Sequence, residues 1–164
     1  MLSVVRYPAA VLSKASSPIA VFDEALRQLA REMNQVMISE NGIGLAAPQI
    51  GKNIQLVIVN IGEEGDAFKA YVNPEITHLT SKNTAIEEGC LSLPGVYGYV
   101  TRAAKVHVRY QDLTGRKHRG KFRGMEAIVL QHEIDHLNGK LIIDRSMQIT
   151  KGQHLLKGNG PIKK

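Results

Sequence analysis

The hydrophobic residues between positions 22 and 40 recur at intervals of three and four, which places their side chains on one face of an α-helix. These residues are Phe22, Leu26, Leu29, Met33, Val36 and Met37. The pattern predicts an amphipathic helix that packs one side on a sheet. The pair Asn41-Gly42 follows it and is typical of the residues that end a helix.

Extended segments are predicted after this helix. The run IQLVIVNI, residues 54–61, is rich in β-branched residues and short enough for a buried strand. The segment AYVNPEITHL, residues 70–79, is a second candidate, in which Pro74 marks a sheet edge or a bulge. Residues 105–112 and 117–122 alternate polar with apolar or aromatic positions around the turn LTGR, so they predict a β-hairpin.

A second helix is predicted over residues 125–138. One face of this helix carries Met125, Ile128, Val129, His132 and His136. The order of elements, which is helix, strands, hairpin and helix, predicts an α+β fold rather than alternating strand–helix units. We expect mixed or antiparallel strands packed around this central helix, with the amphipathic helix near the N-terminus.

Length and composition limit the kind of protein. A chain of 164 residues with 43% hydrophobic and 22% charged residues suits one globular domain. No apolar run approaches the ~20 residues that a membrane-spanning helix needs, and the first twenty residues lack the apolar core of a secretion signal. A single cysteine excludes an internal disulfide and fits a reducing compartment. The expected location is a bacterial-type cytoplasm, with an organelle interior as the open alternative.

The net charge of +6 is unevenly distributed. Residues 145–164 carry five Lys or Arg and no Asp or Glu, so we predict a domain over 1–145 and a short basic tail over 146–164. Residues 102–123 carry eight Lys or Arg against Asp112 alone. Charge runs are usually solvated, but a basic tail can dock on RNA or another polyanion. No aromatic-rich RNA-recognition pattern is present, so sequence-specific nucleic-acid binding is not predicted.

The second predicted helix contains the pattern His132-Glu133-x-x-His136. Histidines four residues apart lie one helical turn from each other, so both imidazoles can reach one metal ion, and Glu133 beside them can accept a proton from water. The alternative is a solvated helix surface that carries the pattern by chance. We expect Met125 and Ile128 to face the core and to place the histidines on the buried side.

A catalytic zinc-type site needs a third protein ligand. In the extended HExxHxxGxxH pattern a third histidine would stand at Ile142, and a downstream glutamate is excluded because no acidic residue follows Asp144. The third ligand is therefore expected upstream, where Cys90 lies between Gly89 and Leu91. A thiolate binds borderline-soft divalent metals well, although a lone cysteine is more often a core residue.

The stretch NGIGLAAPQIG, residues 41–51, nominally matches the Gly-x-Gly-x-x-Ala dinucleotide fingerprint. That fingerprint requires a strand before it and a helix after it, whereas here a helix precedes and a strand follows. Two interpretations remain. The stretch is either a plain turn, or a loop in which Gly44 admits a substrate backbone and the Gln49 amide faces a developing oxyanion.

Together, GIGLAAPQ, EEGCLS and QHEIDH resemble the three signature motifs of the peptide deformylase family in order and separation. The resemblance covers residues 4–145 and implies a catalytic domain that removes the formyl group from the N-terminal formylmethionine of new polypeptides and releases formate. It also implies one divalent metal ion, Fe(II) in cells, with Zn(II), Ni(II) or Co(II) able to replace it in purified protein. Thiolate and imidazole ligands accept both zinc and iron, so the ligand set leaves this choice open.

Carried over to this chain, the resemblance makes Cys90, His132 and His136 the metal ligands and Glu133 the general acid/base. It places the Gln49 side chain and the backbone N–H of Leu91 at the oxyanion.

The resemblance also implies a substrate site. The peptide would add as a strand beside Gly44 and Gly89. The methionine pocket would consist of Ile43, Ile86, Glu88, Met125, Ile128 and Val129.

The sequence does not decide between several structural and functional alternatives. Arg102 either pairs with Glu88 near the site or both charges are solvated. Tyr97 stands where some family members have an arginine near the pocket mouth. The sequence therefore does not determine which substrate residues other than the methionine the site would prefer. The glycines of the tail argue against a long terminal helix, while its basic charge leaves weak ribosome contact open. The rival functions are a general metallopeptidase and a catalytically inactive, metal-stabilised binding module.

Overall fold

Eight strands and three α-helices make up the described part of the chain, residues 1–62 and 67–156, in this computed structural model. The strands are β1 (Gly44–Ala46), β2 (Leu56–Val59), β3 (Lys69–Leu79), β4 (Asn83–Cys90), β5 (Leu93–Ala103), β6 (Lys105–Gln111), β7 (Lys117–Arg123) and β8 (Gln148–Lys151). The helices are α1 (Glu24–Ser39), α2 (Gly124–Leu137) and α3 (Ile142–Arg145), with short 3₁₀ helices at Ala10–Ser13, Ala47–Ile50 and Gln153–Leu156. None of the helices in these ranges is long and apolar enough to cross a membrane.

The strands form two sheets whose neighbouring strands pair antiparallel. One sheet has five strands in the order β1-β2-β3-β6-β7, and the other has three strands in the order β4-β5-β8. The predicted α+β class and the predicted hairpin, now β6 and β7, are confirmed. Strands β1 and β4 each lie at the edge of their sheet.

Helix α2 packs on one face of the five-stranded sheet. Its Leu130, Ile134 and Leu137 share a core with Val57 of β2 and Val106 of β6. Nine of its fourteen residues are buried, so the helix is enclosed on most sides rather than on one stripe.

The expectation that Met125 faces the core is wrong. Met125 is 49% exposed at the first turn of α2, and Ile128 is half-buried. The side of α2 that carries these residues and His132 faces a cavity, and the opposite sides of the helix are the ones that pack in the core.

Helix α1 covers the other face of the sheet at its β1–β2 end. Its Met33 and Met37 are fully buried in a core with Leu45, Leu56 and Ile58. The alternation along β2 therefore serves both helices, since Val57 and Val59 face α2 while Leu56 and Ile58 face α1.

Helix α1 ends where the sequence predicts, just before Asn41-Gly42. Asn41, rather than Gly42, takes the left-handed conformation with φ 57°, and the N–H of Gly42 donates to the carbonyl of Met37 at 2.8 Å. The bulge expected at Pro74 is also present, because the register of β3 against β6 shifts between Val72 and Glu75.

The first part of the predicted basic tail lies against the small sheet. Residues 148–151 form β8, which pairs with β5, and Leu156 is buried. Residues 157–164 lie outside the described residues. The division of the chain at residue 145 stays a prediction.

Candidate active site

A cavity of about 680 Å³ lies between α2, the β4–β5 hairpin and the segment that leads into β1. Its lining includes almost every residue that the sequence predicts for the site: Ile43, Gly44, Gln49, Ile86, Glu88, Gly89, Cys90, Leu91, Met125, Ile128, Val129, His132 and Glu133. His136 is the exception, since it lies deeper, 1% exposed, next to His132.

The three candidate metal donors converge at one end of the cavity. The Nε2 atoms of His132 and His136 are 3.2 Å apart, Cys90 Sγ is 3.4 Å from His136 Nε2, and all three donor atoms lie within 4.8 Å of one another. A tetrahedral ion with usual metal–nitrogen and metal–sulfur bond lengths would separate its donors by about 3.3 Å for two nitrogens and about 3.6 Å for nitrogen and sulfur. The donor set therefore fits a divalent metal ion.

The backbone explains why these donors meet. The histidines lie one turn apart on α2, and Cys90 lies at the last position of β4. The pairing of β4 with β5 shifts between Gly89 and Cys90, so that Cys90 is opposite Leu93. Burial lowers the pKa of His136 well below its ordinary value, which favours the neutral imidazole that metals bind.

Glu88 orients His132. Its Oε1 lies 2.9 Å from His132 Nδ1, an arrangement in which Nδ1–H donates to the carboxylate and the lone pair of Nε2 points toward the other two donors. Arg102 donates to both carboxylate oxygens of Glu88, each at 2.9 Å. Although burial favours the neutral acid, the hydrogen bonds from Arg102 and His132 lower the pKa of Glu88 to about 2. Glu88 is therefore an anion that lines the cavity, and hydrogen bonds from Arg102 and His132 stabilise its charge.

The alternative of two solvated charges at Glu88 and Arg102 is wrong. Glu88 is 7% exposed and Arg102 is 4% exposed. Arg102 also donates to Asp135 at 2.6 Å, and Arg145 lies 2.6 Å from the same Asp135 oxygen at the protein surface. The charges form a chain from Arg145 through Asp135 and Arg102 to Glu88.

The Arg102→Lys variant is expected to lower the free energy of unfolding by about 1.5–3 kcal/mol, because an ammonium cannot donate in the planar fork that Glu88 accepts. Arg145→Lys is the matched control. Arg145 is half-exposed, so its change should stay within about 0.5 kcal/mol. Chemical denaturation measures both, and equal losses would contradict a special contribution from the buried bidentate pair.

Glu133 lies beside the donors with an unsatisfied oxygen. It is 4% exposed, and its Oε2 has no hydrogen-bond partner among the described residues. Burial raises the pKa of Glu133 to about 7, since a charged carboxylate is costly where nothing solvates it. A carboxyl group with such a pKa is suited to exchange protons with a bound reactant.

Gly44 is required by the close approach of β1 to α2. A Cβ atom at this position would lie 2.8 Å from Glu133 Oε1 and 2.8 Å from Val129 Cγ1. The plain-turn interpretation is wrong for residues 44–46, which form the fully buried strand β1. The absence of a side chain here gives Glu133 its space.

Gly44→Ala is expected to reduce turnover by up to about 10²-fold, because the new methyl group must displace the Glu133 carboxylate. Steady-state kinetics gives the turnover rate, and thermal unfolding with metal analysis tests whether fold and metal content persist. Full activity in a folded, metal-loaded variant would contradict the prediction, because it would show that displacement of the Glu133 carboxylate does not lower turnover.

Gln49 is fixed with its NH₂ group toward the donor cluster. Its Oε1 accepts from the N–H of Ala46 at 3.0 Å, which leaves Nε2 to donate to Ser92 Oγ at 3.2 Å and to point at Cys90 Sγ at 3.6 Å. Gln49 is 1% exposed. Sequence reasoning missed Ser92 as the residue that orients this amide and Asp135 as the second partner of Arg102, although both lie inside the motifs EEGCLS and QHEIDH.

The rest of the cavity wall combines an apolar part with the polar residues Arg6, Glu40, Asn41 and Glu87. Ile86, Ile128 and Val129 are half-buried or buried, while Ile43 and Met125 are exposed at the rim. Tyr97 of β5 lies opposite Gly89, and a Cβ atom on Gly89 would be 2.7 Å from the Tyr97 ring. Gly89 therefore lets the Tyr97 ring cover the backbone of β4.

Several known proteins are similar to this chain in sequence and fold. The family model described as polypeptide deformylase matches residues 1–152. The peptide deformylase of Chromobacterium violaceum is 42% identical over 151 residues, which cover 92% of this chain and 90% of that protein. The Wolinella succinogenes peptide deformylase is 46% identical over 158 residues, with 92% and 91% covered. The crystal structure of the Thermotoga maritima peptide deformylase superposes with a TM-score of 0.86 at 36% identity and covers 90% of this chain and 99% of that one.

Proposed function

The chain belongs to the peptide deformylase family, the metalloenzymes that hydrolyse the formyl group from N-formylmethionine of new polypeptides, and we propose that the cavity beside α2 is its active site. The observation that carries the proposal is the position of Glu133. Its carboxylate oxygen Oε2, which has no partner among the residues that the structure describes, and the three convergent donors Cys90, His132 and His136 adjoin the same cavity. A purely structural metal site would favour a fourth protein ligand in place of this arrangement.

Cys90, His132 and His136 would hold one divalent metal ion. When bound, such an ion lowers the pKa of water and polarises a carbonyl oxygen. We propose Fe(II) as the ion in cells on the basis of the family resemblance, and thiolate and imidazole donors would also accept Zn(II), Ni(II) or Co(II). Glu88 supports the site by fixing the tautomer of His132.

The peptide would bind as an added strand at the mouth of the cavity. Both β1 and β4 are edge strands, and residues 42–44 and 86–90 of the segments that carry them line the cavity. An extended peptide between these edges would form backbone hydrogen bonds that do not depend on its sequence. The apolar wall formed by Ile86, Ile128 and Val129, with Ile43 and Met125 at the rim, would receive the methionine side chain, which is flexible and apolar.

The reacting groups can then be assigned to this chain. Glu133 would take the proton of the attacking water and pass it to the leaving amine, which frees the N-terminus and releases formate. The Gln49 Nε2–H and the backbone N–H of Leu91 would donate to the oxyanion, at about 3 kcal/mol for each donor. The fixed Gln49 amide supports this role, since a donor that is already oriented does not have to reorganise during the reaction.

The acyl group provides the test of this proposal. We expect rapid release of formate from a formyl-Met peptide and little or no cleavage of acetyl-Met or unblocked peptides, because the backbone of Gly44 approaches Glu133 closely and an added methyl group would crowd that carboxylate. Release of the acyl group by chromatography and formate assay measures the comparison. Equal cleavage of an internal peptide bond would favour the general metallopeptidase instead.

The setting of the reaction is also a proposal. The substrate class places the enzyme where new formylated polypeptides are made, in a cytoplasm or an organelle interior, and the single free thiol fits a reducing compartment there. Weak contact between the basic tail and the ribosome would bring the enzyme near its substrate.

A further inference from the structure

The outer face of β6 and β7 carries six cations in a regular array. Burial alternates strictly along β7, with every second residue exposed. The inward residues Val106 and Val108 pack in the core under α2, so the neighbouring residues of β6 point away from it. We call the set of outward cations the basic face: Lys105, Arg109, Lys117, Arg119, Lys121 and Arg123.

Cations of the basic face stand opposite one another. The register pairs Lys105 with Arg123 and Arg109 with Arg119 across the two strands. Like charges directly opposite each other in a sheet are destabilising, so the arrangement costs stability in the isolated protein. Among the outward positions of β3, β6 and β7, Glu75 is the only acidic residue, and it pairs with Arg109. The basic face is therefore short of counter-charge.

Helix α1 does not cover this region. Helix α1 packs on the sheet face that also carries the basic face, but it lies at the β1–β2 end, against Leu56 and Ile58. The cavity lies across the molecule, because α2 occupies the opposite face of the sheet and no member of the basic face lines the cavity. A partner bound to the basic face would leave the entrance to the cavity open.

We propose that the basic face is a docking surface for the phosphate backbone of RNA. Outward side chains repeat about every 7 Å along each strand, and the strands lie about 5 Å apart, which gives a grid of cations that a chain of phosphates can neutralise. Three of the six are arginines, whose planar fork matches phosphate oxygens. Apart from the half-buried His107, whose ring lies against that of His78, the outward positions of β6 and β7 carry no aromatic or aliphatic side chain, so a row of stacking rings for bases and an apolar surface for lipid insertion are both lacking. Binding would be independent of base sequence, and it would hold the enzyme at the RNA-rich particle from which its substrate emerges.

The test compares three charge-matched variants of the full chain. Lys117→Gln/Arg119→Gln/Lys121→Gln removes half of the basic face and avoids Arg123, which precedes α2. Lys14→Gln/Lys52→Gln/Lys140→Gln removes three exposed cations elsewhere, and Lys157→Gln/Lys163→Gln/Lys164→Gln removes three of the four cations of the tail. The probe is a fluorescein-labelled RNA hairpin, with phosphatidylglycerol vesicles as the second arm.

We expect the wild-type protein to bind the hairpin with a strong salt dependence between about 50 and 200 mM salt. The face variant should lower the slope of log affinity against log salt by about 2–3, while turnover of a short formyl-Met peptide stays unchanged. Both other variants should lose less affinity than the face variant. Absence of RNA binding, an equal or larger loss in either matched variant, or binding to vesicles but not to RNA would overturn the proposal.

Discussion

Glu133→Ala is expected to retain the metal ion and to hydrolyse formyl-Met peptides about 10²–10⁴-fold more slowly than the wild-type protein. The donor atoms come from Cys90, His132 and His136, so removal of the neighbouring carboxylate leaves the ligands intact. The attacking water would then lose the carboxylate beside the metal donors, and the nearby Glu88 is already bound to Arg102 and His132. Metal analysis and a formate-release assay on the same preparation separate the two effects.

Glu126→Gln is the matched control for this experiment. It changes a carboxylate on the same helix, in the first turn, where the side chain is partly exposed and lies 4.0 Å from Lys69. Its turnover should equal that of the wild-type protein. Wild-type activity in Glu133→Ala would refute the acid/base role, whereas loss of metal from that variant would assign Glu133 to the metal shell.

Cys90→Ala is expected to lose both the metal and the activity. It removes the only sulfur from a three-donor set, and two imidazoles alone do not make the three-ligand shell that a catalytic ion needs. The wild-type protein should gain unfolding free energy when metal is added, by about 2.7 kcal/mol at a metal concentration one hundred times the dissociation constant. The variant should gain far less.

Thermal unfolding with and without added metal gives this readout independently of catalysis. Treatment of both proteins with a chelator supplies the reference, since the chelated proteins should differ little in stability when Cys90 contributes mainly through the metal. A stoichiometric metal content in Cys90→Ala would contradict the ligand assignment.

Local sequence patterns were sufficient for α1 and α2 and for β2, β3, β6 and β7, but not for the short helix α3. Helix α1 and strand β6 each bury mainly one face, which repeats in the sequence at period 3.6 or 2, whereas β2 is buried on both faces and is recognised as a short β-branched run. The sequence motifs could be assigned to one site because HExxH supplies only two metal ligands and a catalytic metal site needs a third. The spacing along the chain then pointed to residues that the fold does bring together around one cavity.

The β4–β5 hairpin was not predicted, and its residues explain why. The turn that joins the strands is only two residues long, and Gly89, Gly95 and Gly98 interrupt any alternation. Two of these glycines are required by contacts with residues elsewhere in the chain. Gly89 lies under the Tyr97 ring, and Gly98 packs against Ser146. The burial of Arg102 was equally invisible, because its partners Glu88 and Asp135 are 14 and 33 residues away in the chain.

The chain of charges through Arg102 joins three elements, since Glu88 belongs to β4, Arg102 to β5 and Asp135 to α2. If the small sheet separated from the helix, Arg102 would lose its contact with Asp135 and Glu88 would lose its contact with His132. Partial opening of that sheet is therefore suppressed, and β4, β5 and α2 behave as one cooperative unit. The wall that would hold the peptide and the helix that would hold the metal thus open to solvent together or remain closed together.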